Sequence, residues 1–427
     1  MRISVLLLLS LAILSVTTPA DGRPLREKNI IRDYCEHHEL HCPCKMIYTA
    51  DVNGDGLSEL IQTQVMFKGK ATSFRAYSAG VKKGKKVWSG SVHPDRLWHI
   101  VPGYFTYPNR AHLLAITDKG IRAFHYKSKA PKGKLIKGFK YQLPQQPYHW
   151  AYHYQNLVVG DFDGNKRDEL AVINTKKGTA KFYRKQTGGD FMLTKNLRAA
   201  NERVLAKGGY FLAGNVYRDL SSPFKPEVQR DDILRVGPGK GTIDIFITRH
   251  DGGQKYKYKM QRWSSAGGIK DKKSCFKRSH SSGHWIVQIA KVKPGPYEQI
   301  VCHEPFTGQK RVFEVTMKGL KEIKVRFGEL QKHKGYLSWL SLNKGHNPNG
   351  LHDCIVYHMR LNKKWVSNKG RARDPRIFTY FKAVYNKKKK VWSYKRTHRT
   401  TLSKFFTSSW AVWPYKHYLW PPKKKKK

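Results

Sequence analysis

The chain has 427 residues, and its 82 Lys and Arg stand against 30 Asp and Glu, a formal net charge of +52. No stretch after the first 20 residues approaches the roughly 18 apolar residues of a membrane-spanning helix, which excludes an integral helical membrane protein. A charge imbalance spread over the whole chain favours an acidic partner over mere solubility: a sulfated or uronic polysaccharide, an anionic membrane surface or extracellular nucleic acid.

In chain order, the first element is MRISVLLLLSLAILSVTTPA (1–20), where one Arg, an apolar run from Val5 to Val16 and small residues around Ala20 predict a secretory signal peptide. The mature protein is therefore expected outside the cell, in oxidising surroundings. Residues 21–45 form a short segment holding Cys35, Cys42 and Cys44 in CEHHELHCPC; the other cysteines are Cys275, Cys302 and Cys354. The spacing fits no standard zinc finger, so disulfides are the expected chemistry, with a bond between Cys302 and Cys354 as one candidate.

From residue 46 onward the sequence repeats. DVNGDGLSEL (51–60) alternates oxygen-bearing side chains with glycines, as calcium loops do. It is no EF-hand, because the twelfth position, which must supply a bidentate Glu, is Gln62 and β-rich sequence follows. A nine-residue loop fits instead, with ligands at positions 1, 3, 5, 7 and 9: Asp51, Asn53, Asp55, the Leu57 carbonyl and Glu59. The same frame returns in DFDGNKRDEL (161–170) as Asp161, Asp163, Asn165, the Arg167 carbonyl and Glu169, with Lys166 where the first loop has Gly56. Weaker copies that have lost their carboxylates begin at residues 103, 214, 289 and 340. Aligning their ninth positions on Glu59 and Glu169 predicts His112, Asp232, Glu298 and Asp353. Each unit continues into further strand-like segments, and SFRAYSAGVKKGKKVWSG (73–90) matches YFKAVYNKKKKVWSYK (380–395) almost throughout. Four strands recurring at a period of about 50–60 residues are the signature of a β-propeller blade. The expected fold is all-β, a propeller of about six four-stranded blades over 46–399, with a seventh left open.

GDFDGNKRDELAV and ADVNGDGLSELIQ resemble the FG-GAP/VCBS-type repeat of integrin-α-like propellers. The resemblance implies one Ca²⁺ in each of the two intact loops, held by the residues just named, as a staple with no part in catalysis. Carboxylates and neutral oxygens at this spacing also suit Ca²⁺ on chemical grounds.

Lysines stand beside tryptophan at Lys85, Lys86 and Trp88 and again at Lys390 and Trp392, while Lys291 and Lys293 occupy ligand positions of a degenerate loop. These are the candidate contacts for an anionic ligand, cations beside flat rings being suited to sugar or base stacking. The tail 400–427 is aromatic and ends in five lysines; adding a strand to close the ring, packing on one face or touching an anionic membrane are its candidate roles. The reading that follows is a secreted, monomeric, calcium-stabilised binding module for an acidic or sulfated glycan. The alternatives are a polysaccharide lyase or hydrolase on the same scaffold and an extracellular nucleic-acid-binding protein. No nucleophile elbow, paired-carboxylate signature or HExxH supports an enzyme.

Overall fold

The computed structural model describes residues 47–63, 73–79, 85–95, 97–117, 119–126, 133–136, 155–174, 178–185, 191–197, 210–217, 230–236, 243–250, 258–264, 286–303, 308–316, 319–334, 336–340, 351–358, 377–388 and 390–401. The signal segment, the Cys35–Cys44 cluster, Cys275 and the tail beyond Thr401 lie outside them.

Among the described residues, twenty-four strands make six four-stranded antiparallel sheets, each of four consecutive strands. The first holds β1 (Ile47–Ala50), β2 (Glu59–Thr63), β3 (Ser73–Ser78) and β4 (Lys86–Ser91). The second holds β5 (Leu97–Tyr107), β6 (Arg110–Thr117), β7 (Gly120–Phe124) and β8 (Lys134–Leu135), and the third β9 (Gln155–Gly160), β10 (Glu169–Asn174), β11 (Thr179–Lys185) and β12 (Phe191–Leu197). The fourth comprises β13 (Tyr210–Gly214), β14 (Asp232–Val236), β15 (Ile243–His250) and β16 (Tyr258–Ser264). The fifth comprises β17 (Ile286–Ala290), β18 (Gln299–His303), β19 (Lys310–Thr316) and β20 (Gly319–Ile323), and the sixth β21 (Tyr336–Leu340), β22 (Asp353–His358), β23 (Ile377–Asn386) and β24 (Val391–Thr401).

Burial grades across each sheet as the side chains dictate. Second strands are nearly continuous apolar runs, and β10 (ELAVIN), β14 (DILRV) and β18 (QIVCH) are buried on both faces up to their last residues. Third strands alternate: in β3 Phe74 and Ala76 are buried between exposed Ser73 and Arg75, the period-2 pattern of a half-buried strand. Fourth strands such as β4 and β20 hold no fully buried residue, their side chains being half-buried or exposed.

The apolar faces pack between consecutive sheets. One cluster joins Leu340, Ile355, Phe378 and Tyr380 of the sixth sheet to the first and second. Others join the second to the third, the third to the fourth, the fourth to the fifth and the fifth to the sixth. Packing therefore returns to its start, and Thr49 Oγ1 of β1 donates to the Trp339 carbonyl of β21 at 3.0 Å across the join. The result is a propeller-like all-β fold.

The β-register fixes which residues share a loop position. The ninth-position residue pairs with the last residue of the first strand: Glu59 with Ala50, His112 with Gly103, Glu169 with Gly160, Asp232 with Gly214 and Asp353 with Leu340. In the fifth sheet the partner of Ala290 is Gln299, so Glu298, expected at position nine, stands at position eight. An acid one residue early made the wrong frame attractive in sequence.

That eighth position joins the sheets. Its backbone N–H donates to the first-position carbonyl of the preceding sheet: Ala111 to Asp51 (2.7 Å), Asp168 to Tyr104 (3.1 Å), Asp231 to Asp161 (2.8 Å), Glu298 to Asn215 (2.8 Å) and His352 to Lys291 (2.8 Å). Three of these residues also return the bond, their carboxylates accepting the N–H of Tyr104, Asp161 and Asn215 at 2.7, 3.0 and 3.0 Å. The second and third, third and fourth, and fourth and fifth sheets are thus clasped at two points, and the clasp satisfies backbone groups that the turn would otherwise leave buried and unpaired.

Cys302 and Cys354 are both fully buried in second strands, but the candidate bond between them is not formed. Cys302 is disulfide-bonded, whereas Cys354 is a thiol whose Sγ donates to the Ile355 carbonyl at 3.6 Å.

Candidate metal centre

The two loops expected to hold calcium fold alike, although their sequences differ. In the first, Asp51 accepts the N–H of Gly54 and of Gly56, both at 2.7 Å, Asn53 Oδ1 accepts that of Asp55 and Asp55 Oδ1 that of Leu57. In the second, Asp161 accepts from Gly164 and Lys166 (2.7 and 2.9 Å), Asp163 from Asn165 and Asn165 from Arg167. Asp and Asn favour such turns because their side chains mimic a backbone acceptor. The Gly54 and Gly56 φ values are +82° and +83°; in the second loop they are +80° at Gly164 and +69° at Lys166. A lysine thus adopts the left-handed conformation that glycine takes at the equivalent place.

The ninth position ties each loop shut. Glu59 Oε2 accepts the Val52 N–H (2.9 Å), and Glu169 Oε2 accepts those of Phe162 and Asp163 (2.9 and 3.3 Å). Asp232 does the same for Val216 and Tyr217, and so does the neutral amide of Gln299 for Val292 and Lys293. An uncharged oxygen is therefore sufficient for the tie, which separates the structural duty of the position from any metal duty.

Whether the residues suit a hard cation turns on the second oxygen of that carboxylate. Glu169 Oε1 is buried without a hydrogen-bond partner, and ligand atoms of Asp161, Asp163 and Glu169 lie within 4.8 Å of one another. All three residues are buried, and Arg184, at 3.9 Å from Asp163, is half-exposed. Burial raises the Glu169 carboxyl well above its ordinary range, and the Asp163 and Asp161 charges raise it further. In the first loop burial lifts Glu59 to about 8 and Asp51 to about 6, against the opposing pull of the backbone N–H groups. There Asn53 Nδ2 donates to Glu59 Oε1 at 2.9 Å and Asp55 points to solvent, so convergence of charge is weaker than in the second loop. Both loops fit an oxygen-liganded divalent ion, the second more tightly.

The sequence-predicted ligand contacts are scattered. Lys85 and Lys86 are exposed, but Trp88 is half-buried, packing edge-on to Phe74 (5.1 Å) and Tyr126 (6.0 Å). Trp392 is likewise half-buried against the fifth–sixth sheet cluster, 5.2 Å from Tyr385, while Lys390 sits exposed in the turn with φ +47°. Lys291 is half-buried at the first loop position, and Lys293 at the third is ion-paired with Glu314 at 2.8 Å. These residues do not form one site. The clasp of Asp168, Asp231 and Glu298 escaped sequence reasoning, although an acid just before the ninth position recurs in three successive units (KRDEL, QRDDI, PYEQI).

No protein-family model matches the chain, and no curated protein matches it in sequence. Among solved structures, it is similar to an Agrocybe aegerita lectin described as recognising non-reducing terminal N-acetylglucosamine, at 13% identity and TM-score 0.45 over 82% of this chain and 79% of that one. An exotype rhamnogalacturonan lyase is similar at 12% identity and TM-score 0.38, over 83% and 64%. Hsv2 of Kluyveromyces lactis is similar at 9% identity and TM-score 0.33, over 82% and 97%. Likenesses this distant carry no function from those proteins to this chain.

Proposed function

We propose that the chain is a secreted, calcium-stapled propeller of six blades, of the FG-GAP/VCBS type, that binds an anionic glycan. The observation that carries this reading is where the acids are. Among the described residues eleven acids are buried, including Asp51, Glu59, Asp161, Asp163, Glu169 and Asp231, whereas Arg235 is the one Lys or Arg equally buried. Acids are consumed in loop ties, clasps and the Arg235–Asp244 pair (2.7 Å), and the cations are left to the surface. The face offered to a partner is thus more positive than the composition alone conveys, and it suits a polyanion.

Asp161, Asp163 and Glu169, with the Asn165 side chain and the Arg167 carbonyl, would hold one Ca²⁺. Asp51, Asn53, Asp55, the Leu57 carbonyl and Glu59 would hold another. The ion would neutralise buried carboxylates and brace a hairpin. With dissociation constants of roughly 10⁻⁴ to 10⁻³ M, millimolar calcium contributes about 0.4–1.4 kcal/mol per site. EDTA should therefore lower the thermal midpoint by a few degrees without unfolding the protein at room temperature. Glu169→Gln keeps an oxygen for the Phe162 N–H, as Gln299 does naturally, so it should fold yet lose about half of the calcium response. A midpoint indifferent to EDTA and calcium would remove the metal from the proposal. The glycan itself is tested by binding to immobilised heparin in competition with free oligouronate, DNA and neutral dextran. Elution by the acidic glycans, with dextran inert, supports the reading; preferential elution by DNA replaces it with nucleic-acid binding.

A further inference from the structure

Of the six ninth-position residues only His112 is basic, and it sits in the hairpin between β5 and β6, flanked by the two acidic loops. Around it are basic groups from two sheets. Tyr107, 46% exposed, stacks on His112 with ring centres 6.5 Å apart, and the Arg110 guanidinium carbon lies 4.8 Å over the Tyr107 ring. His125, exposed at the end of β7, is 6.0 Å from His112. From the third sheet, Lys185 reaches across to donate to Thr106 Oγ1 at 2.7 Å. Among the described residues no carboxylate pairs with Arg110 or His125. His112 is 6% exposed, and its Nδ1 has no hydrogen-bond partner. We propose that this cluster, where the second and third sheets meet, is a subsite for one carboxylate or sulfate group of the ligand, with Arg110 and Lys185 as its cations, His125 as a polar neighbour and Tyr107 as its aromatic edge.

The packing of the two sheets brings Arg110 and Lys185 together around His112, and an anion between them would offset their mutual repulsion. The two histidines register that field: burial lowers both from the ordinary range, His112 to about 3, and Lys185 and Arg110 lower them further. The hairpin is also held in place before any ligand arrives. Ala111 N–H donates to the Asp51 carbonyl on one side, and on the other Tyr104 exchanges two hydrogen bonds with Asp168. The Tyr104 hydroxyl in turn accepts the Asp51 N–H at 3.3 Å. A hairpin fixed at both ends loses little entropy on binding, unlike the lone exposed lysines elsewhere.

This subsite rests on the anionic-glycan reading, and the test keeps the two apart. The full chain is titrated calorimetrically with a heparin tetrasaccharide and, in parallel, an unsulfated tetrauronate, which separates a sulfate from a carboxylate preference. The variant is Arg110→Gln/Lys185→Gln; Lys387→Gln/Lys388→Gln, in the exposed β23–β24 turn, makes the same change in net charge. Loss of charge-assisted hydrogen bonds should weaken binding by roughly tenfold or more in the first pair and by less than about twofold in the second. Equal losses in the two pairs overturn the subsite and leave distributed binding standing. Wild-type protein that binds neither oligosaccharide overturns both. The imidazole proton resonances of His125 give a second readout in wild-type protein, free of any folding defect in the variant. They should shift on saturation, and unmoved signals overturn the subsite.

Discussion

Asp231→Ala should lower unfolding stability by about 2–3 kcal/mol, the range for leaving a buried donor without its charged acceptor. Asp231 is 3% exposed, and its carboxylate takes the N–H of Asp161 while its own N–H is given to the Asp161 carbonyl. Alanine keeps the backbone half of the clasp and abandons the other half between the third and fourth sheets. The equivalent Glu298→Ala, on a partly exposed side chain, should cost less, about 1 kcal/mol, because water can reach the freed N–H of Asn215. Asp231→Asn retains an acceptor oxygen and should recover most of the loss. Denaturant midpoints at unchanged slope measure all three. An Asp231→Ala protein as stable as wild type, or a Glu298→Ala protein less stable than the Asp231→Ala one, would refute the clasp.

The fold was legible because its strongest signals are local. Loop residues such as Asp51, Gly54 and Gly56 mark a hairpin, and apolar second strands such as Leu170–Ile173 follow at a steady period. What stayed illegible depends on contacts between blades. Position eight looks like an ordinary loop acid until the preceding sheet's backbone is beside it, and a one-residue slip between Glu298 and Gln299 is invisible without register. The surroundings of the Lys–Trp stretches were hidden for a related reason: Trp88 packs on Phe74 of β3 in its own sheet and on Tyr126 just past β7 of the next, and the second of these contacts exists only through the packing of two sheets. The basic cluster was hidden because Lys185 lies 75 residues beyond Arg110 in sequence and meets that hairpin only through the packing of two sheets. The second acidic loop shows the converse. Lys166 and Arg167 put two positive charges within its sequence, yet both side chains are exposed, and the carboxylates of Asp161, Asp163 and Glu169 converge in the buried part of the loop.

The central claim is that a distributed positive surface binds a polyanion, and the salt dependence of affinity tests it most directly. Binding that neutralises six or more closely spaced anionic charges releases a comparable number of counterions, so log K should fall linearly with log salt. The expected loss between 50 and 200 mM salt is on the order of 10³-fold. Removing Lys423 to Lys427 should reduce the affinity only modestly, since the excess charge is spread over the chain. The measurement is the heparin affinity of the full chain at several salt concentrations between those limits. A steep, log-linear decline that persists without the five terminal lysines is the predicted result; an affinity indifferent to salt, or one abolished by that truncation, would contradict it.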